Sequence, residues 1–371
     1  MLDFIKKHRL LTISVTGFII SRLIIFGLYV LLFKDYSLTG FLEAVNKYDA
    51  NHYNRIVMNG YLPDAYNITG EAGWAFFPFY PLLVGGLSKL MGVTTYMAAY
   101  ITGAIFSVGA AVFGGRYMEL VTKDEDGIRI KSSVIYIILL FMGPFSFYLS
   151  IFYTEAPFLF FLTACFYYLE KEEYIRMGIF GALMSFTRNM GVFFLFVILI
   201  RILMKRKIRE VLADPGFVAG VSMIPAGLFG FMYYLYRLTG DALAFVHVQV
   251  AWGRVNGSFL KVYMDALKSI SGDGAFHAAF MTLGFFLTLI MVVKYKKFHE
   301  AMFALIILIL PAMSVVDSMA RYIFGGFVFL CTFSRLLAKA PAYLKISILL
   351  FLFGYELVLF NGWLYGAGVL T

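Results

Sequence analysis

Of the 371 residues, 61% are hydrophobic and only 14% are charged, and the mean hydropathy is +0.83. A water-soluble globular protein is excluded, because its surface would need far more polar cover. The formal net charge of +9 does not indicate a nucleic-acid partner, since Lys and Arg gather in short clusters between apolar runs, as membrane topology demands.

A helix crossing the hydrocarbon layer needs roughly 20 apolar residues, and such runs recur along the whole chain. Strands are not expected, because a membrane β-barrel shows shorter alternating segments. In chain order, apolar runs bounded by charges or turn residues predict about 11 transmembrane helices: 10–33, 96–120, 132–151, 155–170, 174–187, 190–204, 217–238, 276–294, 301–316, 321–338 and 345–365. The first follows Lys6, Lys7 and Arg9 like a signal sequence, but it is too long and lacks a small-residue cleavage site, so it is expected to be retained. The run Phe76 to Met91 is apolar but short and rich in Pro and Gly, and is expected to be re-entrant or interfacial. The two helices meeting at Thr187 to Asn189 are short enough to form a broken pair. Cys165 and Cys331 both lie inside apolar spans and define neither a disulfide framework nor a metal cluster.

Lys6/Lys7/Arg9, Lys123/Arg129/Lys131, Lys171/Arg176, Lys205 to Arg209, Lys294 to Lys297 and Arg335/Lys339/Lys345 all fall on one side of this arrangement, which the positive-inside rule makes cytoplasmic. The segments 34–95 and 239–275 then lie on the outer face, with the N-terminus inside and the C-terminus outside. All of 1–371 is expected to form a single all-α polytopic membrane domain.

The first outer segment reads NKYDANHYNRIVMNGY from Asn46 to Tyr61. If a short helix starts at Asp49, then Asp49, His52 and Tyr53 share one face at i, i+3 and i+4. A carboxylate beside an imidazole and a phenol can act as a general base on a sugar hydroxyl; equally, Asp49 can simply cap a surface helix. Asp49 and His52 also suit a metal, but no third ligand stands at a recognisable spacing, and no metal is expected. Arg22, Glu155, Arg188, Arg321 and Glu356 lie in or at the ends of spans, where a charge is costly and marks function by default. Arg188 and Arg321 come at outer helix ends, where a guanidinium can grip a phosphate bidentately, although each can instead pair with a neighbour such as Glu155 or Asp317, or snorkel. The second outer segment gathers His247, Gln249, Trp252 and Arg254, which suit a sugar or a lipid head group, though interfacial aromatics also serve as ordinary anchors.

The ordered set YDANHYNRIVMNGY (48–61), AFFPFYPLL (75–83), FYTEAPFLFF (152–161), SFTRNMG (185–191), GDALAFVHVQVAWGR (240–254) and ARYIFGG (320–326) resembles the PIG-V-type mannosyltransferases and their shorter prokaryotic relatives, a branch of the GT-C glycosyltransferases. The resemblance implies a GT-C-type multi-helix fold and transfer of a sugar, mannose in that family, from a polyprenyl-phosphate donor at the non-cytoplasmic face. It implies Asp49 as catalytic base. Arg188, Arg321 and Arg254 are expected at the donor phosphate, with His52, Tyr53, Glu155, His247, Gln249 and Trp252 around the substrates. The acceptor would be lipid-linked or a glycan, in a bacterial plasma membrane or, for a eukaryotic chain, the endoplasmic reticulum. No cofactor is expected. Tyr48 replaces the family's usual Trp before the loop aspartate, and no Asp-x-Asp pair exists, which argues against a metal-dependent mechanism. The rival expectation is a transporter or flippase of lipid-linked sugar, which would also bury arginines but commonly shows inverted repeats.

Overall fold

The computed structural model describes residues 8–63, 73–123, 127–205, 208–254, 257–268 and 273–367, and among them every regular element is helical. The first long helix, α1 (Arg9–Phe33), ends where Lys34 turns left-handed at φ 56°. Ser37 accepts from the Gly40 N–H to start α2 (Leu38–Val45), as a hydroxyl does at an N-cap. Then follow α3 (Asp49–Asn59), α4 (Phe79–Met91) and α5 (Thr95–Val121), the last capped by Thr94. The expected re-entrant piece is thus α4, 13 residues packed against α5 and too short to span the layer.

The expected helix 132–151 is cut short. α6 (Ile128–Met142) stops at Gly143 and Pro144, and Ser146–Ser150 forms a 3-10 turn, since Pro cannot continue a helix. α7 (Glu155–Glu170) and α8 (Tyr174–Thr187) match their expected bounds. The broken pair at Thr187 to Asn189 is present: Arg188 is extended, and the 3-10 turn Asn189–Phe193 leads into α9 (Phe194–Lys205). Gly191 makes this break possible, because a Cβ there would stand 2.6 Å from the Met184 carbonyl carbon.

After the short α10 (Ile208–Leu212), the expected span 217–238 is divided at Pro225 into α11 (Pro215–Met223) and α12 (Ala226–Thr239). The segment expected on the outer face, 239–275, holds α13 (Ala244–His247) and α14 (Phe259–Lys268). α15 (Asp273–Val293) and α16 (Phe298–Ala312) pack together. The expected span 321–338 is broken at Gly325 and Gly326 into α17 (Met319–Phe324) and α18 (Phe327–Lys339), before α19 (Ala342–Leu364).

Five stretches are long and apolar enough to cross a membrane: Arg9–Phe33, Thr95–Val121, Pro215–Thr239, Asp273–Val293 and Ala342–Leu364. Side chains such as Leu23, Leu31, Ile105 and Phe351 point outward from them, as lipid-facing surface requires. Helix length and composition account for five of about 11 expected crossings; the other expected runs form shorter helices, several of them bounded by Pro, Gly or 3-10 turns.

One charge of the expected cytoplasmic clusters is not solvated. Arg335 is buried and forms a two-pronged pair with Glu300, at 2.6 and 2.7 Å. Its position one turn before Lys339 suggests a loop-proximal charge, but the helix face it occupies turns inward. Tyr117 donates to the same carboxylate at 2.7 Å and lies 3.2 Å from His299, which reaches Glu170, itself paired with Arg201 at 2.6 Å.

Candidate active site

Three charged side chains far apart in sequence converge at the start of α7. Glu155 Oε1 is 2.7 Å from Arg188 Nη2 and 3.7 Å from Arg321 Nε. Arg188 reaches it because the break in α8 leaves its backbone extended, and its Nε donates to Thr154 Oγ1 at 2.6 Å. Arg321 turns to Glu155 rather than to the exposed Asp317. Its guanidinium lies over the Tyr148 ring at 4.6 Å and beside Tyr322 and Tyr153 at 5.6 and 5.8 Å, an aromatic cage for a cation. Arg321 Nη2 donates to Ser318 Oγ at 3.1 Å, whereas its Nε and Nη1 are buried without a hydrogen-bond acceptor among the described residues, and neither Glu155 oxygen accepts an aligned hydrogen bond there. Two cations and one anion are thus held close with donor capacity to spare.

These groups line a cavity of about 80 Å³. Glu155, Phe158, Leu159 and Leu162 contribute one wall, and their i, i+3, i+4, i+7 spacing is a single helix face that runs about 10 Å inward from the charges. Phe324, Gly325, Gly326 and Phe327 also line it, so the glycine break between α17 and α18 is part of the cavity wall. The cavity is charged at the α7 N-terminus and apolar along the face that leads away from it.

Asp49 stands close enough to this cluster to feel the charges of Arg321 and Glu155. It is the first residue of α3 rather than its cap: its backbone N–H donates to the Tyr153 hydroxyl at 3.1 Å, and its half-buried carboxylate makes no hydrogen bond among the described residues. Desolvation raises its pKa above the ordinary carboxylate value, partly offset by the nearby Arg321. Tyr48 immediately before it adopts φ 53°, a strained conformation for a residue with a side chain. Its hydroxyl donates to the Gly366 carbonyl at 3.0 Å, and its ring meets Trp363 at 5.3 Å. Lys47 caps the end of α19 through the Leu364 carbonyl at 2.7 Å. Tyr153 closes the turn by donating to the Lys47 carbonyl at 3.3 Å.

His52 stacks on Phe76 with ring centroids 5.1 Å apart, and Tyr53 is buried with its hydroxyl 3.3 Å from Thr154. Asp49, His52 and Tyr53 therefore share a face, with Tyr53 reaching the Arg188 partner Thr154. The second outer segment stands farther off. His247 is exposed and paired with Asp241 at 2.6 Å; Gln249 and Arg254 bond each other at 3.3 Å. Arg254 is not part of the buried cluster, although its charge is felt at Asp49. The Trp252 side chain lies outside the described residues. No three His, Cys, Asp or Glu side chains gather as a metal-holding group among the described residues.

A second polar set fixes the wall behind the cluster. Arg22 donates to the Ser146 carbonyl and hydroxyl at 3.0 Å each and to Ser150 at 2.6 Å, while Glu356 accepts from Ser146 Oγ at 2.7 Å and Phe147 N–H at 2.8 Å. Both charged residues, singled out by their place in apolar runs, thus grip the 3-10 turn that carries Tyr148. Gly103 lets that turn approach α5, since a Cβ there would stand 2.9 Å from the Leu149 carbonyl. Sequence spacing does not single out Tyr148, Tyr153 or Thr154; only the last two carry a signal, their adjacency to Glu155 in the run FYTE.

Neither a known protein family nor a curated protein matches the sequence. Solved structures do. The chain is similar to the oligosaccharyltransferase of the archaeon Archaeoglobus fulgidus in its apo form, with TM-score 0.54 and 12% identity over 98% of this chain and 56% of that one. The same enzyme in complex with an inhibitory peptide and a dolichol-phosphate matches at TM-score 0.46 and 11% identity, over 99% and 56% of the two chains. This chain therefore spans about half the length of those proteins. The likeness is one of fold: an all-helical architecture, here with five stretches long and apolar enough to cross a membrane, similar to that of the oligosaccharyltransferase.

Proposed function

We propose that the chain is a PIG-V-like membrane glycosyltransferase that moves a sugar, mannose by the motif resemblance, from a polyprenyl-phosphate-linked donor to a lipid-linked or glycan acceptor, with inversion. One observation carries this: Asp49, a half-buried carboxylate without a hydrogen bond among the described residues, lies within the charge field of Arg321, whose Nε and Nη1 donors are also unmatched and which lines a cavity with an apolar wall. Asp49 deprotonates the acceptor hydroxyl as it attacks the anomeric carbon. The bond from that carbon to the donor phosphate oxygen breaks, and the electron pair leaves with the phosphate. A phosphodiester carries one negative charge and gains a second as that bond breaks, so Arg321 and Arg188 bind the transition state more tightly than the ground state. A lipid phosphate leaves readily, so no metal or other cofactor is invoked. Arg254, His247, Gln249 and Trp252 sit on the outer segment where the acceptor would approach.

The proposal includes the finer topology: a single domain over 1–371, about 11 crossings by the hydropathy pattern, and segments 34–95 and 239–275 outside a bacterial plasma membrane. The solved likeness supports it at the level of fold, and the complex with dolichol-phosphate is a property of that other protein. A flippase for lipid-linked sugar would use the same arginines but has no task for an unpaired carboxylate beside them. The test is to incubate purified protein with labelled polyprenyl-phosphate mannose and native membrane extract and identify what acquires label. Transfer to a discrete acceptor is expected; absence of transfer from every polyprenyl-phosphate donor across a broad acceptor panel would overturn the function.

A further inference from the structure

We infer that Glu155 is a specificity-determining residue that limits how much negative charge the site accepts, shifting selectivity toward a sugar linked to lipid through one phosphate and away from one linked through a pyrophosphate; this rests on the donor-binding role proposed above. The argument begins from charge in a confined space. Arg188 and Arg321 supply two positive charges, and Glu155 stands against both at 2.7 and 3.7 Å. Ordinary ion pairing does not explain this contact well, because neither Glu155 oxygen accepts an aligned hydrogen bond and Arg321 Nε and Nη1 stay without an acceptor among the described residues. A carboxylate placed only to neutralise the arginines would be expected to take those donors, as Glu300 takes Arg335 at the other end of α7. Glu155 instead lowers the positive charge of the cluster by one while leaving donor N–H groups for another anion.

The buried trio then carries a net charge of +1, which a phosphodiester with its single negative charge balances. A pyrophosphate diester carries two and would leave the trio negative, with the Asp49 carboxylate close by as a further anion. Coulomb energy scales with ligand charge, so a fixed negative group beside the site disfavours a dianion twice as strongly as a monoanion. At an effective dielectric of about 20 and a separation of several Å, that difference amounts to at least about tenfold in relative affinity. A merely structural Glu155 would alter both affinities together and leave their ratio alone.

The experiment measures equilibrium binding to purified protein in detergent, using mannose joined to one polyprenyl chain through either a phosphate or a pyrophosphate. The net positive trio attracts both lipids, so the quantity read is the ratio of monophosphate-linked to pyrophosphate-linked affinity, with wild type as the reference. Glu155→Gln should reduce that ratio by about tenfold or more, chiefly by tightening the pyrophosphate, whereas Glu155→Asp, which keeps the charge, should preserve it. An unchanged ratio in Glu155→Gln, or an equal change in Glu155→Asp, would overturn the inference. If Glu155→Gln fails to fold, Glu155→Ala, which also removes the charge, is read in its place against Glu155→Asp. Because binding is read without turnover, a ratio that shifts as expected in a protein that transfers no sugar would sink the transferase function and leave this assignment standing.

Discussion

The two ends of α7 hold the same chemistry in opposite states. At its last residue, Glu170 joins Arg201, His299, Tyr117, Glu300 and Arg335 in a buried network, where both oxygens of Glu300 are met by guanidinium N–H groups. At its first residue, about 22 Å away along the helix, Glu155 stands between two arginines with no aligned hydrogen bond, and a cavity opens beside it. Burying charges is costly in either place, and the network at Glu170 offsets that cost with well-directed partners. The cluster at Glu155 leaves donors unmatched. Charge in a membrane helix marks importance, but the matching of donors to acceptors separates a structural brace from a binding site.

Substitutions at the two ends sharpen this contrast, ranked here by their effect on turnover per folded molecule. Asp49→Asn should lower turnover by at least about 10²-fold, the usual scale for a lost general base. Since burial raises the pKa of Asp49, ionising it opposes folding: its protonated form is favoured in the native state, and the stability difference is lost as pH rises through the folded pKa. The Asn variant should therefore be no less stable than wild type at neutral pH, as thermal unfolding would show. For the same reason the acid limb of the wild-type pH–rate profile should lie above the ordinary carboxylate range, with turnover rising as Asp49 deprotonates. A limb at the normal aspartate value, or near-normal turnover in the variant, would return Asp49 to a structural place.

Arg321→Ala or Arg188→Ala should follow, with losses of about 10²-fold in turnover together with weaker donor binding, because each removes charge stabilisation of the leaving phosphate. Lys at either position should rescue only in part, since the planar fork is lost. Tyr153→Phe removes the hydroxyl that joins the Lys47 carbonyl to the Asp49 N–H. Two hydrogen bonds of ordinary strength predict a loss of about tenfold in kcat with donor affinity held. Smallest of all should be Arg335→Ala, which strands Glu300 and should cost about 3–5 kcal/mol of stability while changing turnover per folded molecule by less than a few-fold. If Arg335→Ala instead matched Arg321→Ala in turnover at full stability, the division between brace and site would collapse.

Much of this was legible in the sequence because a charge in an apolar run stands out energetically. Arg22, Glu155, Arg188, Arg321 and Glu356 could be named from that cost alone, and the bounds of α7 and α8 from the charges and turns that flank them. What hydropathy averaging hides is the short break. Pro144, Pro225 and Gly325–Gly326 sit in runs apolar enough to read as continuous spans, yet each divides one. Convergence was hidden for a related reason. Arg188 meets Glu155 only because its own helix stops there, and Arg335 turns inward through a helix phase that its nearness to Lys339 does not reveal. Tyr153 acts through its hydroxyl and the backbone of a strained turn, which leaves no mark on spacing or composition.

The grip of Arg22 and Glu356 on the turn Ser146–Ser150 bears on the order in which the molecule is built. Arg22 belongs to α1 and Glu356 to α19, so a chain emerging from the ribosome presents the first of these charges some 330 residues before the second, the separation of their positions. Until α19 inserts, the turn that carries Tyr148 is held from one side only, and Tyr48 lacks both Trp363 and the Gly366 carbonyl. The site is therefore complete only once α19 is in place, and a chain that stops short of that helix has the turn held by Arg22 alone.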